Sequence, residues 1–254
     1  MRKVSKHINQ YLFEDIDEFI EKVDIDKLRE EKLIDYPQYD WTEPIKQDFE
    51  TILSYFGFYD IELCWDLSYS QGSGASFTAK WDRESFNIKE LKEYTKNDKD
   101  INKIAEWLKD LISESTKECE CFEYGELEEC GYLREYYKNK KECEEGMILS
   151  YAEIIRANNH YCHEYTIEAE CYDADGNRRI DLDYDFTQIA QELAKWFYDK
   201  LEIELDYLTS DKGIAEYFVY NGILIDEKYI KEEYKNESTT NNTKDSWKNS
   251  IFRK

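Results

Sequence analysis

Two stretches of the sequence carry residue types that could do chemistry. One pairs an imidazole with a neighbouring carboxylate, His163 and Glu164. An imidazole titrates near neutral pH, so this pair could serve as a general acid and base, although the sequence assigns it no serine or cysteine nucleophile. The other stretch is a glycine loop, in which two glycines lie one residue apart among hydroxyl and amide side chains: Ser70, Gln71, Gly72, Ser73 and Gly74.

The glycine loop lacks the features of a phosphate-binding loop. A P-loop needs a lysine directly after its last glycine, and both it and a dinucleotide fingerprint need a following helix. Here apolar residues alternate on both sides of the loop, at 61–67 and at 75–81, as they do in strands. We therefore expect a structural hairpin whose glycines take positive φ. The alternative is a loop that binds a ligand or partner through Ser70, Gln71 and Ser73.

An acidic, cysteine-bearing stretch at about 117–146 reads as an insertion. Structural zinc sites usually pair their ligands two to four residues apart, and do so twice. One residue separates the first two cysteines here, and the other two are widely split. We expect reduced thiols and no cofactor, with zinc as the alternative on Cys119, Cys121, Cys130 and Cys143.

His163 lies in a stretch, 161–172, whose alternation predicts a strand. On that strand His163 and Cys171 share the apolar face, while His160 and Cys162 share the opposite face. The split argues against one four-ligand site. We expect His163 to be a satisfied core histidine, and a catalytic role to be the alternative.

The net charge restricts the partners of the chain. Its 254 residues include 58 Asp and Glu against 34 Lys and Arg, a formal net charge of -24. Surfaces that bind phosphates need Lys and Arg, so we expect no direct binding to nucleic acid and none to anionic membranes. The charge is typical of a solubilising surface, or of one that engages basic partners by imitating nucleic acid.

The sequence shows neither a signal peptide nor a membrane span. Residues 1–7 are followed by an amphipathic acidic segment, and no stretch approaches the roughly 20 apolar residues that a span needs. The seven cysteines are an odd number, and nothing suggests export. We expect a cytoplasmic protein with mostly reduced thiols.

Apolar periodicity predicts the elements that must position these residues. Because helices and strands do not alternate regularly, we expect an α+β fold with a small antiparallel sheet packed against several helices, including a long C-terminal one. We expect one domain over 1–234, with the insertion, and a flexible polar tail at 235–254. The predicted helices are 8–23, 42–56, 100–113, 185–208 and a short one that Thr209, Ser210 and Asp211 cap; the predicted strands are 61–67, 75–81, 148–156 and 161–172.

Several segments in a consistent order over about 28–226 resemble a family of small phage proteins often labelled "antitoxin of toxin-antitoxin stability system". Its signature is Ser-Gln-Gly-Asp-Gly-Ala-Ser-Phe, and residues 70–77 match it with Ser73 in place of the aspartate. That replacement weakens any proposal of a metal on the loop. The resemblance implies a phage or prophage origin and an accessory role. The other similar segments are Tyr39–Trp41, Phe56–Gly57, Tyr161–Tyr165, Ala194–Glu202 and Asp206–Asp211.

We therefore expect a non-enzymatic phage protein, most concretely a counter-defence inhibitor. It would bind a host protein, such as a nucleic-acid-handling defence enzyme, through an acidic surface. One alternative is a hydrolase or nuclease that uses His163 and nearby carboxylates, and another is a sponge for a small signalling nucleotide. The expected partner surface is the acidic N-terminal helix together with glutamates of the insertion: Glu118, Glu120, Glu123, Glu126, Glu128 and Glu129.

Overall fold

A computed structural model describes residues 2–3, 10–31, 41–68, 72–96, 98–115, 148–158 and 160–235. Helices and antiparallel strands are mixed along the chain, which confirms the predicted α+β class. The chain divides into two compact units, Thr42–Glu202 and a smaller one made of Met1–Trp41 with Ile203–Lys254. The single domain over 1–234 stays a prediction, and the insertion and the tail after Lys235 lie outside the described residues.

The elements are numbered in chain order. Short 3-10 turns join several of them, among them Arg83–Ser85 and Glu164–Thr166. The strands and helices are β1 (Arg2–Lys3), β2 (Gln10–Leu12), α1 (Ile16–Lys22), α2 (Ile25–Glu30), α3 (Thr42–Tyr55), β3 (Phe58–Asp66), β4 (Gly74–Asp82), α4 (Ile88–Tyr94), α5 (Lys99–Ser115), β5 (Leu149–Arg156), β6 (Ile167–Asp173), α6 (Ile180–Thr209), α7 (Asp211–Tyr220) and β7 (Ile225–Asp226).

The larger unit is built on a four-stranded antiparallel sheet in the order β3-β4-β5-β6. Strand alternation sends its apolar side chains to one face, where they meet aromatic residues of helices α3 and α6. Phe49 stacks on Phe197 with ring centroids 4.6 Å apart, and Phe77 meets Phe49 edge-on at 6.0 Å. Each such pair adds about 0.5–1.5 kcal/mol beyond its buried area. These aromatic contacts fix the sheet against the two helices.

The opposite face of the sheet, here called the open face, is polar and exposed. Cross-strand register places Lys80 opposite Glu153 and Glu153 opposite Glu170. Tyr151 and Ile155 flank Glu153 on β5 and are 47% and 37% exposed. The open face therefore combines carboxylates with large apolar side chains.

The smaller unit has its own sheet, in the order β1-β2-β7, and its own core. Phe19 packs on Phe13 at 5.1 Å and on Phe218 at 5.6 Å between ring centroids. The predicted helix over 8–23 is wrong in its first half, because Tyr11 pairs with Ile225 in this sheet. Its second half, α1, is confirmed and begins after the N-cap Asp15.

The other predicted elements are confirmed, except for part of one strand. Strand β6 begins only at Ile167, because 160–166 leave the sheet and fold over the open face. The long helix α6 begins at Ile180, earlier than predicted. None of the helices in the described part of the chain is both long and apolar enough to cross a membrane.

Candidate functional site

The segment between β5 and β6, residues 160–166, covers one end of the open face and is called the covering segment. Its Cys162 N–H donates a hydrogen bond to the carbonyl of Gly72 at 3.2 Å. The Thr166 hydroxyl and N–H both bond to the carbonyl of His163, at 2.8 and 3.1 Å, which closes a 3-10 turn. The two motif stretches found in the sequence therefore lie against each other.

The glycines of the loop allow this close approach. A Cβ on Gly74 would lie 2.5 Å from Cα and 2.6 Å from Cβ of His163, and a Cβ on Gly72 would collide with the ring of Tyr161. The predicted positive φ is confirmed for Gly74, at +148°. It is wrong for Gly72, where glycine is required because any side chain would meet the ring of Tyr161. Ser70 and Gln71 lie outside the described residues, so their ligand role stays a prediction.

A disulfide between Cys64 and Cys162 joins the covering segment to strand β3, with Cα atoms 5.6 Å apart. Cys64 lies opposite Ser76 in the sheet register, so the disulfide sits above the open face next to that serine. The expectation of reduced thiols is wrong for this pair. The two cysteines are 98 residues apart in the sequence, and no local spacing relates them.

Two polar atoms at this site are buried without a hydrogen-bond partner in the described structure, Ser76 Oγ and His163 Nδ1. Ser76 is only 1% exposed. The His163 ring stands between the rings of Tyr161 and Tyr165, with centroids 5.9 and 5.8 Å away. The expected satisfied core histidine on the apolar face is wrong, because the covering segment is not a strand and lies on the open face.

For the alternative acid–base pair of His163 and Glu164, the described structure gives the surroundings of one ring atom, and the pair stays a prediction. No carboxylate there bonds to Nδ1 of His163, which is the contact that would orient the ring and stabilise its charged form. Ser76 is too buried to meet a substrate in this closed form. At this end of the sheet a hydrogen bond and a disulfide hold the covering segment against the glycine loop and β3.

No group of three or more His, Cys, Asp or Glu side chains that could hold a metal ion occurs among the residues that the structure describes. The alternative zinc site on Cys119, Cys121, Cys130 and Cys143 falls outside those residues. The glutamates expected to bind a partner also fall outside them. Both stay predictions.

Cys171 is a free thiol of a different kind, buried on the inner face of β6. Burial raises the pKa of this thiol, and the nearby Asp183 carboxylate raises it further. The Asp183 carboxylate also accepts a hydrogen bond from the Cys171 N–H at 2.7 Å. A thiol held neutral in this way is a poor nucleophile and a poor metal ligand.

The end of the open face away from the covering segment is concave. A cavity of about 520 Å³ opens there between the ends of β3, β4 and β5. Its lining combines two tyrosine rings with acidic, basic and hydroxyl side chains, from Tyr59, Asp82, Arg83, Glu84, Ser85, Ser150, Tyr151 and Ala174. Sequence reasoning missed this cavity, which depends on strand register.

Comparison with known proteins adds a family. We found no match to the chain among curated proteins or among solved structures. A family model described as "Domain of unknown function (DUF8835)" matches residues 41–211. The match includes the whole four-stranded sheet, the glycine loop and the covering segment. Because it spans well over half of the sequence, the chain belongs to the DUF8835 family.

Proposed function

We propose that this chain is a non-enzymatic accessory protein of phage origin that inhibits a host protein by binding it. The observation that carries the proposal is the open face, where exposed aromatic and aliphatic side chains lie among glutamates. The phage origin rests on the resemblance of the glycine loop and of the segments before and after it. A counter-defence role is the most concrete form of the proposal.

The open face offers apolar contact area within a charged surface. Tyr151 and Ile155 provide apolar contact area, and aromatic residues are enriched where protein interfaces bury most surface. Glu153, Glu168 and Glu62 point to the same side of the sheet. These charges favour a partner whose surface carries Lys or Arg, because unlike charges speed and orient association.

Two positive charges on this face are already engaged. Lys80 pairs with Asp60 at 3.3 Å between Nζ and Oδ2. Arg178 lies between Glu170 and Asp183, at 2.9 and 3.0 Å. The carboxylates of Glu153 and Glu168 therefore dominate the field that an approaching protein meets.

The cavity at the end of the face suits a basic side chain of the partner. The rings of Tyr59 and Tyr151 could stack on a guanidinium or ammonium group. The two carboxylates of the lining, Asp82 and Glu84, outnumber its one cation, Arg83. A nuclease or other nucleic-acid-handling enzyme carries such groups along its channel. The overall charge of -24 extends the same complementarity beyond the contact area.

The proposal is tested by capture experiments with three tagged full-length proteins. The wild type is compared with Glu153→Lys/Glu168→Lys, which reverses two charges on the open face. Glu93→Lys/Asp110→Lys is the matched control, because it makes the same charge change at exposed positions on helices α4 and α5. Each protein is incubated with lysate of the host, and the bound proteins are identified at low and high salt.

The proposal predicts a Lys- and Arg-rich protein that the wild type and the control capture, that the open-face variant does not, and that high salt releases. The wild-type chain should also protect phage in defence-bearing hosts. Equal capture by all three proteins, or no capture by any of them, contradicts the proposal.

One observation favours a second candidate, the sponge for a small signalling nucleotide. Tyr165 is 76% exposed beside His163, and aromatic rings of this kind can stack on a nucleobase. Thermal-shift measurements with cyclic nucleotides test this candidate. Stabilisation that Tyr165→Ala abolishes would support it, and the absence of any shift would exclude it for the nucleotides used.

A further inference from the structure

The covering segment is held closed although its closure leaves polar atoms without partners. Ser76 Oγ, beneath the segment, and His163 Nδ1, within it, are buried with no hydrogen bond in the described structure. A buried polar group that makes no hydrogen bond destabilises the state that buries it. Water could reach both atoms if the segment lifted, so the orphaned atoms favour an open form.

Both non-covalent and covalent contacts oppose that opening. The Cys162 N–H bonds to the Gly72 carbonyl, and Tyr161 and His163 pack on Gly72 and Gly74. The disulfide between Cys64 and Cys162 is the covalent tie to the sheet. Tyr165 remains largely exposed, whereas the half-exposed Tyr161 packs on Gly72. The disulfide is the one of these contacts that a change of redox state removes.

The two cysteines of the disulfide are accessible to solvent. Cys64 and Cys162 are partly exposed, whereas the free thiol Cys171 is fully buried on the other face of the sheet. Thiol–disulfide exchange requires that an attacking thiolate approach one sulfur of the pair. This difference in access singles out Cys64 and Cys162 as the reactive cysteines of the described structure.

We propose that Cys64 and Cys162 form a reversible redox modification site, at which reduction by a dithiol releases the covering segment and exposes Ser76 and His163. This inference does not depend on the proposed function. An oxidising environment would keep the segment closed, and a reducing cytoplasm would open it. The state of one bond would then control whether the imidazole can meet a ligand.

The dithiol supplies the electrons and protons that reduction of the disulfide requires. A thiolate of the reductant attacks one sulfur, a mixed disulfide forms, and the other cysteine leaves as a thiolate that takes up a proton. The second thiol of the reductant then attacks the mixed disulfide. The reductant ends as an intramolecular disulfide, and Cys64 and Cys162 end as two thiols after transfer of two electrons and two protons.

The first test is peptide mapping of the oxidised full-length protein without reductant. We expect mass spectrometry to find the peptide that contains Cys64 joined to the one that contains Cys162. The mapping also separates this pair from bridges that involve other cysteines of the chain. Two free thiols at these positions in air-oxidised protein would overturn the proposal.

The second test follows the opening itself. We expect reduction with dithiothreitol to speed amide hydrogen exchange in peptides covering 160–166 by about tenfold, and to speed modification of His163 by diethylpyrocarbonate. Reoxidation should reverse both effects. Unchanged exchange and unchanged His163 modification after full reduction would overturn the proposal.

Two variants supply the controls. Cys162→Ser should show fast exchange of the covering segment with or without the reductant. Cys171→Ala should keep the full response, because its thiol takes no part in the bond. If Cys162→Ser does not fold, Cys64→Ser or the reduced wild type gives the same comparison. A Cys162→Ser protein that still responds to dithiothreitol would contradict the assignment.

Discussion

Gly74 lies directly beneath His163, so that a Cβ on the glycine would stand 2.5 Å from the histidine Cα. The glycine is in β4 and the histidine follows β5, far away in the sequence. Each of these residues belongs to a motif that the sequence alone suggested for a separate reason. Their contact makes the glycine loop and the covering segment parts of one site.

We expect Gly74→Ala to destabilise the larger unit by about 2–4 kcal/mol, because a methyl group would force the covering segment away and strain a positive φ. Gly176→Ala is the matched control, since its φ is +83° and a Cβ there meets nothing within 4 Å. It should cost about 1–2 kcal/mol from backbone strain alone. Urea denaturation measures both, and equal losses would contradict the packing of Gly74 against His163.

The indole nitrogen of Trp81 makes a buried contact that should stabilise the larger unit. Its indole N–H donates to the carbonyl of Phe56 at 2.7 Å, in a fully buried setting. We expect Trp81→Phe to lower the free energy of unfolding by about 2–4 kcal/mol through the lost donor and the cavity. The exposed Trp107→Phe should stay within about 0.5 kcal/mol of the wild type. A Trp81→Phe protein as stable as Trp107→Phe would refute this contact.

Asp98 links helices α5 and α6 and should give stability a pH dependence. It caps α5 at the Ile101 N–H and accepts bonds from Trp196 and Lys200, at 3.0 and 3.2 Å. Burial acts to raise the pKa of Asp98, but the bonds from Ile101, Trp196 and Lys200 outweigh it and hold that pKa below its usual value.

Because the pKa of Asp98 is lower in the folded protein, its charge stabilises the fold at pH values above the unfolded pKa, about 3.9. This stabilisation is lost as the pH falls through the folded pKa. We expect Asp98→Asn to cost about 1 kcal/mol at neutral pH. The amide oxygen keeps the cap at Ile101, but the charge is lost and an NH2 group replaces the Oδ2 that accepts from Trp196 and Lys200. The difference from the wild type should vanish in acid. A difference that does not change with pH, measured by denaturation across that range, would rule out this role for the charge.

Cys171 should be inert in the folded protein. Burial and the Asp183 carboxylate raise the pKa of its thiol, so little thiolate forms even in mildly alkaline solution. We expect iodoacetamide to leave Cys171 unmodified until the protein unfolds, as read from peptide masses. After reduction, Cys162 should react in the folded protein and serves as the positive control. Alkylation of Cys171 as fast as that of Cys162 would show that the thiol is accessible.

Much of the sheet could be predicted from the sequence. The alternation on both sides of the glycine loop places β3 and β4 correctly, and the apolar spacing around Ile101 and Phe186 predicts helices α5 and α6. These signals are local, because each element buries one face and its period shows in the sequence. The antiparallel pairing of β3 with β4 confirms the two strands expected on either side of the glycine loop.

The remaining features of the fold and of the site depend on contacts between residues that are distant in the sequence. The alternation over 161–172 predicts a strand, but 161–166 are drawn out of the sheet by contacts with Gly72, Gly74 and Cys64. Residues 10–12 form a strand because β7, close to the C-terminus, pairs with them. Periodicity carries no information on such pairings, and neither the disulfide nor the end cavity could be predicted without them.

The central claim is that a basic protein docks on the open face, and carboxyl footprinting of the complex tests it most directly. Carbodiimide labelling of the exposed acids is compared between the free protein and the purified complex. We predict that labelling of Glu153 and Glu168 falls severalfold in the complex, while Glu93 and Asp110 are labelled as before. Unchanged labelling of Glu153 and Glu168 in a saturated complex would contradict the claim.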